Sequence, residues 1–201
     1  MKTDVIILCA GESQRMGTPK MLLKYNRQNN FLTQLLSVYT KADCNIYIVA
    51  SQSNYNFLML DEKSYVKKNT RFIINEHPYL GKFYSIQTGL SNSRSEYTYI
   101  QNIDNPFVTA SLLKKMQGFK SRNSYVVPTF QSKGGHPILI HQSIKEQILS
   151  IQSPRYNIKD ILIKFKRINC SASSEKILSN INTPHEYYQY FNNPLILEQN
   201  I

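Results

Sequence analysis

The residues best able to do chemistry first appear in Ala10–Lys20, AGESQRMGTPK, directly after the apolar run Val5–Ala10. Glycines let a backbone approach a ligand closely, so successive N–H groups can form a nest for an anion. Arg15 offers a planar fork for phosphate oxygens and Lys20 a mobile point charge. The spacing is not that of a Walker A loop, since five residues separate Gly11 from Gly17 and Lys20 stands three beyond. It is not G-x-G-x-x-G either. Phosphate binding is one reading; an ordinary strand-to-helix loop with solvated basic residues is the other.

Three further stretches carry polar groups at telling places. In Tyr99–Val108, YIQNIDNPFV, Asp104 ends a buried strand and Pro106 stiffens the turn behind it. A carboxylate there can hold Mg²⁺, which takes one or two carboxylates together with waters and substrate phosphates. It can equally cap a helix or close an Asx-turn. In Lys133–Pro137, KGGHP, the glycines leave backbone groups accessible to read a ligand edge or equally form a surface hairpin turn, and His136 reads as a structural residue of that turn. In Asn180–Tyr187, NINTPHEY, Thr183 and Pro184 form a helix start, and Asn182 could lend an oxygen to a metal.

The elements that must position these groups alternate. Strands are expected at Val5–Cys9, Asn45–Ala50, Thr70–Asn75, Tyr97–Asp104, Tyr125–Thr129 and Pro137–Ile140, with a weak one near Ile168. Helices are expected at Phe31–Ala42, Lys82–Leu90, Thr109–Phe119, Ser143–Ile151 and Ile158–Phe165, and after Pro184. Such alternation implies right-handed βαβ units and a mainly parallel α/β sheet covered by helices on both faces. Ligands on such sheets bind outside the carboxyl ends of the strands, where the loops after Cys9, Asn75 and Ile103 fall. The length and the lack of a linker predict a single domain over 1–201, and the stretch 192–201 has no periodicity and reads as a flexible tail.

Lys and Arg number 24 against 13 Asp and Glu, a formal charge of +11 that suits phosphorylated or polyanionic partners. The basic residues are scattered and no RNA-binding motif appears, which weighs against nucleic acid. Three cysteines without paired spacing argue against a disulfide framework and for a reducing compartment, and Cys9 reads as a small buried hydrophobe. The run from Val5 is too short for a secretory signal and no stretch approaches the ~20 apolar residues of a membrane span, so the expected location is cytoplasmic.

Taken in order, the four stretches resemble the nucleotidyltransferases of molybdenum cofactor maturation. The family's Leu-Ala-(Ala/Gly)-Gly…Arg-Met-Gly…Lys opening is matched by LCAGESQRMGTPKMLL, its Gly-x-x-x-Ser-Ile by GKFYSIQTGL, and its Asp-x-Pro by Asp104–Pro106. Gly135–Pro137 matches Gly-His-Pro, and Asn180–Pro184 matches the closing Ile-(Asn/Asp)-Thr-Pro segment. The resemblance implies a Rossmann-like, GT-A-like nucleotidyltransferase fold and a Mg²⁺-dependent reaction. By position it implies that Cys9, Ala10, Gly11, Ser13, Arg15 and Lys20 hold the nucleotide, that Asn75 and Ser85 line its base and ribose, and that Asp104 takes the metal with Asn182 as a second oxygen.

Lys20, Arg15 and Asp104 are the implied catalytic residues. Ala10, where the guanylyltransferases carry a second glycine, looks like the cytidylyltransferase branch and favours CTP. Departures stand at Cys9, Lys82, Asn180 and His185–Glu186, and Ser153–Leu162 lacks the family's Asp-x-Gly-Ala-Arg. The implied reaction is transfer of CMP from CTP to a phosphorylated small acceptor with release of pyrophosphate. That acceptor is a molybdopterin, a sugar phosphate or a phosphorylated alcohol of surface-glycan synthesis. The rival reading is a non-catalytic nucleotide-binding protein.

Overall fold

A computed structural model describes residues 2–60, 65 and 69–191; the stretch 192–201 lies outside the described residues. Strand β1 (Thr3–Cys9) is buried along its whole length and sits between β2 (Cys44–Ser51) and β4 (Tyr97–Asn102), parallel to both. Strand β3 (Thr70–Asn75) adds in parallel to the outer side of β2. On the other side β7 (Ile138–His141) pairs antiparallel with β4 and with β5 (Ser124–Phe130). β8 (Lys166–Ser171) pairs parallel with β5, and the two-residue β6 (Lys133–Gly134) pairs with it antiparallel.

Alternation along β1 explains the layers. Val5, Ile7 and Cys9 face one apolar core, while Ile6 and Leu8 face another. The first core packs against α1 (Phe31–Lys41), α2 (Gln52–Met59) and α4 (Ala110–Gln117), through Leu35, Leu58 and Leu112 among others. The second packs against α3 (Lys82–Leu90), α5 (Gln142–Leu149) and α6 (Ile158–Leu162). A doubly wound, mostly parallel sheet results, as the alternation predicts. Helix α2 gathers Phe57, Leu58 and Met59 in one run and buries Leu58 beside the polar Asn54, so no helical period reveals it; Ser51 caps its start.

Two moved boundaries bear on the site. Strand β4 ends at Asn102, so Asp104 stands in the following turn rather than in the strand. The hairpin after β5 turns at Gln131–Ser132, both with positive φ, and not at the glycine pair. Gly134 and Gly135 instead lead from β6 through a cis His136–Pro137 bond into β7. His136 is therefore half-buried against β4, a correction to its reading as a surface-turn residue: its Nε2 lies 3.1 Å from Asn102 Nδ2.

A third, smaller core lies at the carboxyl end of the sheet. It joins Met16, Leu23, Phe31, Phe107 and Ile181 to Tyr187 and Phe191, at and just beyond α7 (Pro184–Tyr190). Among the described residues no helix is long and apolar enough to cross a membrane.

Candidate nucleotide site

Three of the polar residues picked out by chemistry lie close in sequence to an apolar residue buried in the third core. Met16 follows Arg15, Phe107 follows the Asp104 turn, and Ile181 precedes Asn182. One apolar cluster thus holds three distant segments in a common frame, and a backbone bond from Ile181 N–H to the Asp104 carbonyl (2.8 Å) ties two of them directly. Where side chains must be fixed to a fraction of an ångström, such packing does the fixing.

The loop after β1 opens on a turn of 3₁₀ helix, Gln14–Met16, with Ser13 at φ 54° before it and Gly17 at φ 70° after it. Ser13 Oγ accepts from the Lys20 backbone N–H (3.2 Å), which folds the loop back on itself. Behind it the Asn54 amide donates to the carbonyls of Cys9 (2.5 Å) and Gly11 (3.1 Å). Arg15 is left exposed with no hydrogen bond or ion pair to its guanidinium among the described residues, and its charge is felt by the Glu186 carboxylate.

Lys20 Nζ donates to Asn182 Oδ1 (2.6 Å) and lies 3.5 Å from Asp104 Oδ2. The point between these two oxygens therefore favours positive charge. Asp104 Oδ1 is buried without a hydrogen-bond partner, as is Asn102 Oδ1 nearby. A buried acceptor left unpaired costs free energy that a bound cation or donor can return. One carboxylate and one amide oxygen, with a further lone pair to spare, fit a hard divalent ion that also takes phosphate oxygens.

Two adjoining cavities open here. The larger, about 520 Å³, is lined by the loop from Ala10 to Arg15, by Lys20, by Pro78 and Tyr79, and by Asn182. The smaller, about 180 Å³, runs under the loop past Cys9, Asn54, Lys82 and Asn102 to Asp104. Lys82 is exposed overall, but desolvation beside the smaller cavity pushes its ammonium below the usual pKa, and the Asp104 carboxyl opposes that shift. Burial also pushes the His136 imidazole down to about 4, helped by the Lys82 charge and opposed by Asp104, so the ring is neutral near pH 7.

The structure thus brings together Cys9, Ala10, Gly11, Ser13, Arg15, Lys20, Asp104 and Asn182. Asn75 and Ser85 do not join them as lining residues. They are 1% and 6% exposed, and Asn75 Nδ2 donates to Ser85 Oγ (2.9 Å). Three contributors received no role from the motifs. These are Asn54, an ordinary residue of an unforeseen helix; Asn102, which looks like strand filler; and Glu186. The last forms a capping box with Thr183 and accepts the backbone N–H of Asn182 at 2.7 Å.

A doubly wound sheet with a basic glycine loop after its first strand and an acidic turn after its fourth defines a nucleotidyltransferase of the Rossmann-like kind. The chain belongs to the family of MobA-like NTP transferase domains, whose model matches residues 5–167, and it is an enzyme of that class. It is similar to the molybdenum cofactor guanylyltransferase of Campylobacter jejuni, at 26% identity over 93% of this chain and 94% of that protein. It is also similar to the molybdenum cofactor cytidylyltransferase of Escherichia coli, at 23% identity over 92% and 93%. Among solved structures, Rv0371c from Mycobacterium tuberculosis superposes with a TM-score of 0.81 at 16% identity, covering 96% of this chain and 98% of that one. A complex of that mycobacterial protein with manganese is also known.

Proposed function

We propose that the chain transfers a nucleotidyl group, CMP from CTP, to a small acceptor bearing a phosphate monoester. The observation that carries this is the convergence of Lys20, Asp104 and Asn182 beside an unpaired Arg15. A phosphate oxygen of the acceptor attacks the α-phosphorus of the triphosphate. The bond from that phosphorus to the oxygen bridging toward the β-phosphate breaks, and pyrophosphate leaves with the electron pair. A new P–O–P link forms with no change of oxidation state. The attacking oxygen is already anionic, so no strong base is needed; alignment and charge neutralisation supply the catalysis.

Arg15 binds the β- and γ-phosphates from the exposed side of the loop. Lys20 moves little to reach charge developing near the α-phosphate, because its backbone and its ammonium are both anchored. The backbone N–H groups around Gly11 and Ser13 face the same anion. Asp104 and Asn182 would hold Mg²⁺, which when bound supplies Lewis-acid neutralisation of the α-phosphate and the leaving pyrophosphate. The manganese complex of the mycobacterial protein is in keeping with divalent-ion binding on this fold.

CTP is favoured by the likeness of the opening loop to the cytidylyltransferase branch at Ala10, a cavity-lining residue where the guanylyltransferases carry a second glycine. GTP is the second reading, favoured by the guanylyltransferase from Campylobacter. The test is pyrophosphate release from CTP and from GTP, with Mg²⁺, across molybdopterin, sugar phosphates and phosphorylated alcohols. Release with CTP and one acceptor class supports the reading and names the acceptor. Release with GTP alone moves the donor, and no release with any pair overturns the transfer.

A further inference from the structure

We propose that Tyr79 is the platform on which the nucleobase stacks, an inference that rests on the nucleotide reading of the larger cavity. Tyr79 sits in the short 3₁₀ turn Pro78–Leu80 between β3 and α3 and is 69% exposed. A tyrosine so exposed has little packing to hold it. This one is held by its edge: the hydroxyl lies 3.3 Å from His77 Nδ1, and the two rings meet edge-on with centroids 5.7 Å apart. Tyr84 packs on the same imidazole from α3, at 5.9 Å.

The support runs deeper, through residues expected to touch the base themselves. His77 N–H donates to Asn75 Oδ1 (2.9 Å), Asn75 Nδ2 to Ser85 Oγ (2.9 Å), and Ser85 Oγ to the Gly81 carbonyl (3.3 Å). Pro78 fixes its own φ within the turn. Asn75 and Ser85 thus form a buried bracket, and what the bracket holds at the cavity wall is an exposed tyrosine.

The same cavity is lined by Ala10 and Gly11, which carry one methyl group between them, and a Cβ built on Gly11 would meet no heavy atom within 4 Å. Side-chain-poor backbone and an exposed tyrosine in one cavity suit a planar, uncharged group, while Arg15 and Lys20 in that cavity suit the phosphates. Stacking is indifferent to the identity of the base, since every base has a π-face. Tyr79 therefore contributes affinity for any nucleoside triphosphate and leaves the choice among them to other residues.

The chain contains no tryptophan, so Tyr79→Trp places a single indole at the platform. Its emission, excited to the red of nucleotide absorption, is followed while Mg²⁺ with CTP, or Mg²⁺ with tripolyphosphate, is added; melting temperature reports binding independently. CTP should quench the indole and tripolyphosphate should not, although both raise the melting temperature. Tyr79→Ala should weaken CTP and GTP alike by roughly 5- to 150-fold, the range for loss of one stacking partner. It should leave tripolyphosphate affinity unchanged, and Tyr79→Phe, which keeps the ring but loses the hydroxyl contact with His77, should fall between wild type and Tyr79→Ala. CTP that raises the melting temperature without quenching, together with wild-type affinity in Tyr79→Ala, overturns the platform and spares the nucleotide site. Absence of any melting shift with CTP, GTP or tripolyphosphate overturns both.

Discussion

Lys20 and Asn182 stand 162 residues apart in sequence and 2.6 Å apart at Nζ and Oδ1. The contact joins the loop after the first strand to the segment entering the last described helix, and it closes the site over Asp104. Neither end is free to drift, because Met16 and Ile181 are buried in the same apolar cluster. The ammonium, the carboxylate and the amide oxygen are preorganised before any substrate arrives, which is the condition under which charge stabilisation is most effective.

Lys20→Ala should lower turnover by roughly 10²- to 10³-fold, by analogy with loss of an oxyanion donor, while the chain stays folded. Pyrophosphate release and a thermal melt on the same sample test this. Near-normal turnover would remove Lys20 from the chemistry.

Glu186 acts at one remove. Its Oε2 accepts the N–H groups of Asn182 (2.7 Å) and Thr183 (2.9 Å). Glu186→Ala should cost about 1 kcal/mol of stability, as for other lost helix caps, and raise KM for the nucleotide more than it lowers kcat. Glu186→Gln keeps an acceptor and should restore most of the loss. Equal kinetics in the alanine and wild-type proteins would leave Glu186 with a capping role only.

Two glycines should respond oppositely to the same methyl group. A Cβ at Gly135 would collide with the Ile177 carbonyl, so Gly135→Ala should destabilise by about 1–3 kcal/mol or more, read as a lower denaturation midpoint. A Cβ at Gly11 enters only the cavity. Gly11→Ala should therefore melt like wild type but bind nucleotide more weakly. A stability loss at Gly11 without a loss of affinity would contradict its placement.

His136 should shape the acid side of the stability curve. Burial chiefly, with the Lys82 charge, lowers its pKa from 6.5 to about 4 in the folded chain. Between those values the unfolded chain holds more protons than the folded one, so stability rises with pH across the window and is lowest below about pH 4. Urea midpoints measured from pH 4 to pH 7 should climb less steeply in His136→Gln than in wild type. Parallel curves would show that the ring titrates normally.

Much of this arrangement is legible in the sequence, for local reasons. The parallel sheet follows from short apolar runs alternating with helical faces, and Thr183–Pro184 announces the last helix through its own cap chemistry. Lys20, Asp104 and Asn182 stand out because each lies within two residues of a proline that marks the edge of an element. What stays hidden depends on tertiary contact. Asn54 and Asn102 matter through partners 34 to 45 residues away. Asn75 and Ser85 have the right positions in the motif, but their polar atoms bond to one another and to the Tyr79 turn, a relationship that spacing cannot show. The exposed Tyr79 looks in sequence like any loop aromatic.

The most direct measurement is calorimetric titration of CTP into the wild-type protein and into Asp104→Asn, each with and without Mg²⁺. The structure predicts that Mg²⁺ strengthens CTP binding to the wild type and that Asp104→Asn loses this dependence while still folding. Equal CTP affinity with and without Mg²⁺ in the wild type, or an unchanged Mg²⁺ effect in Asp104→Asn, would contradict a metal-assisted nucleotide site at Lys20, Asp104 and Asn182.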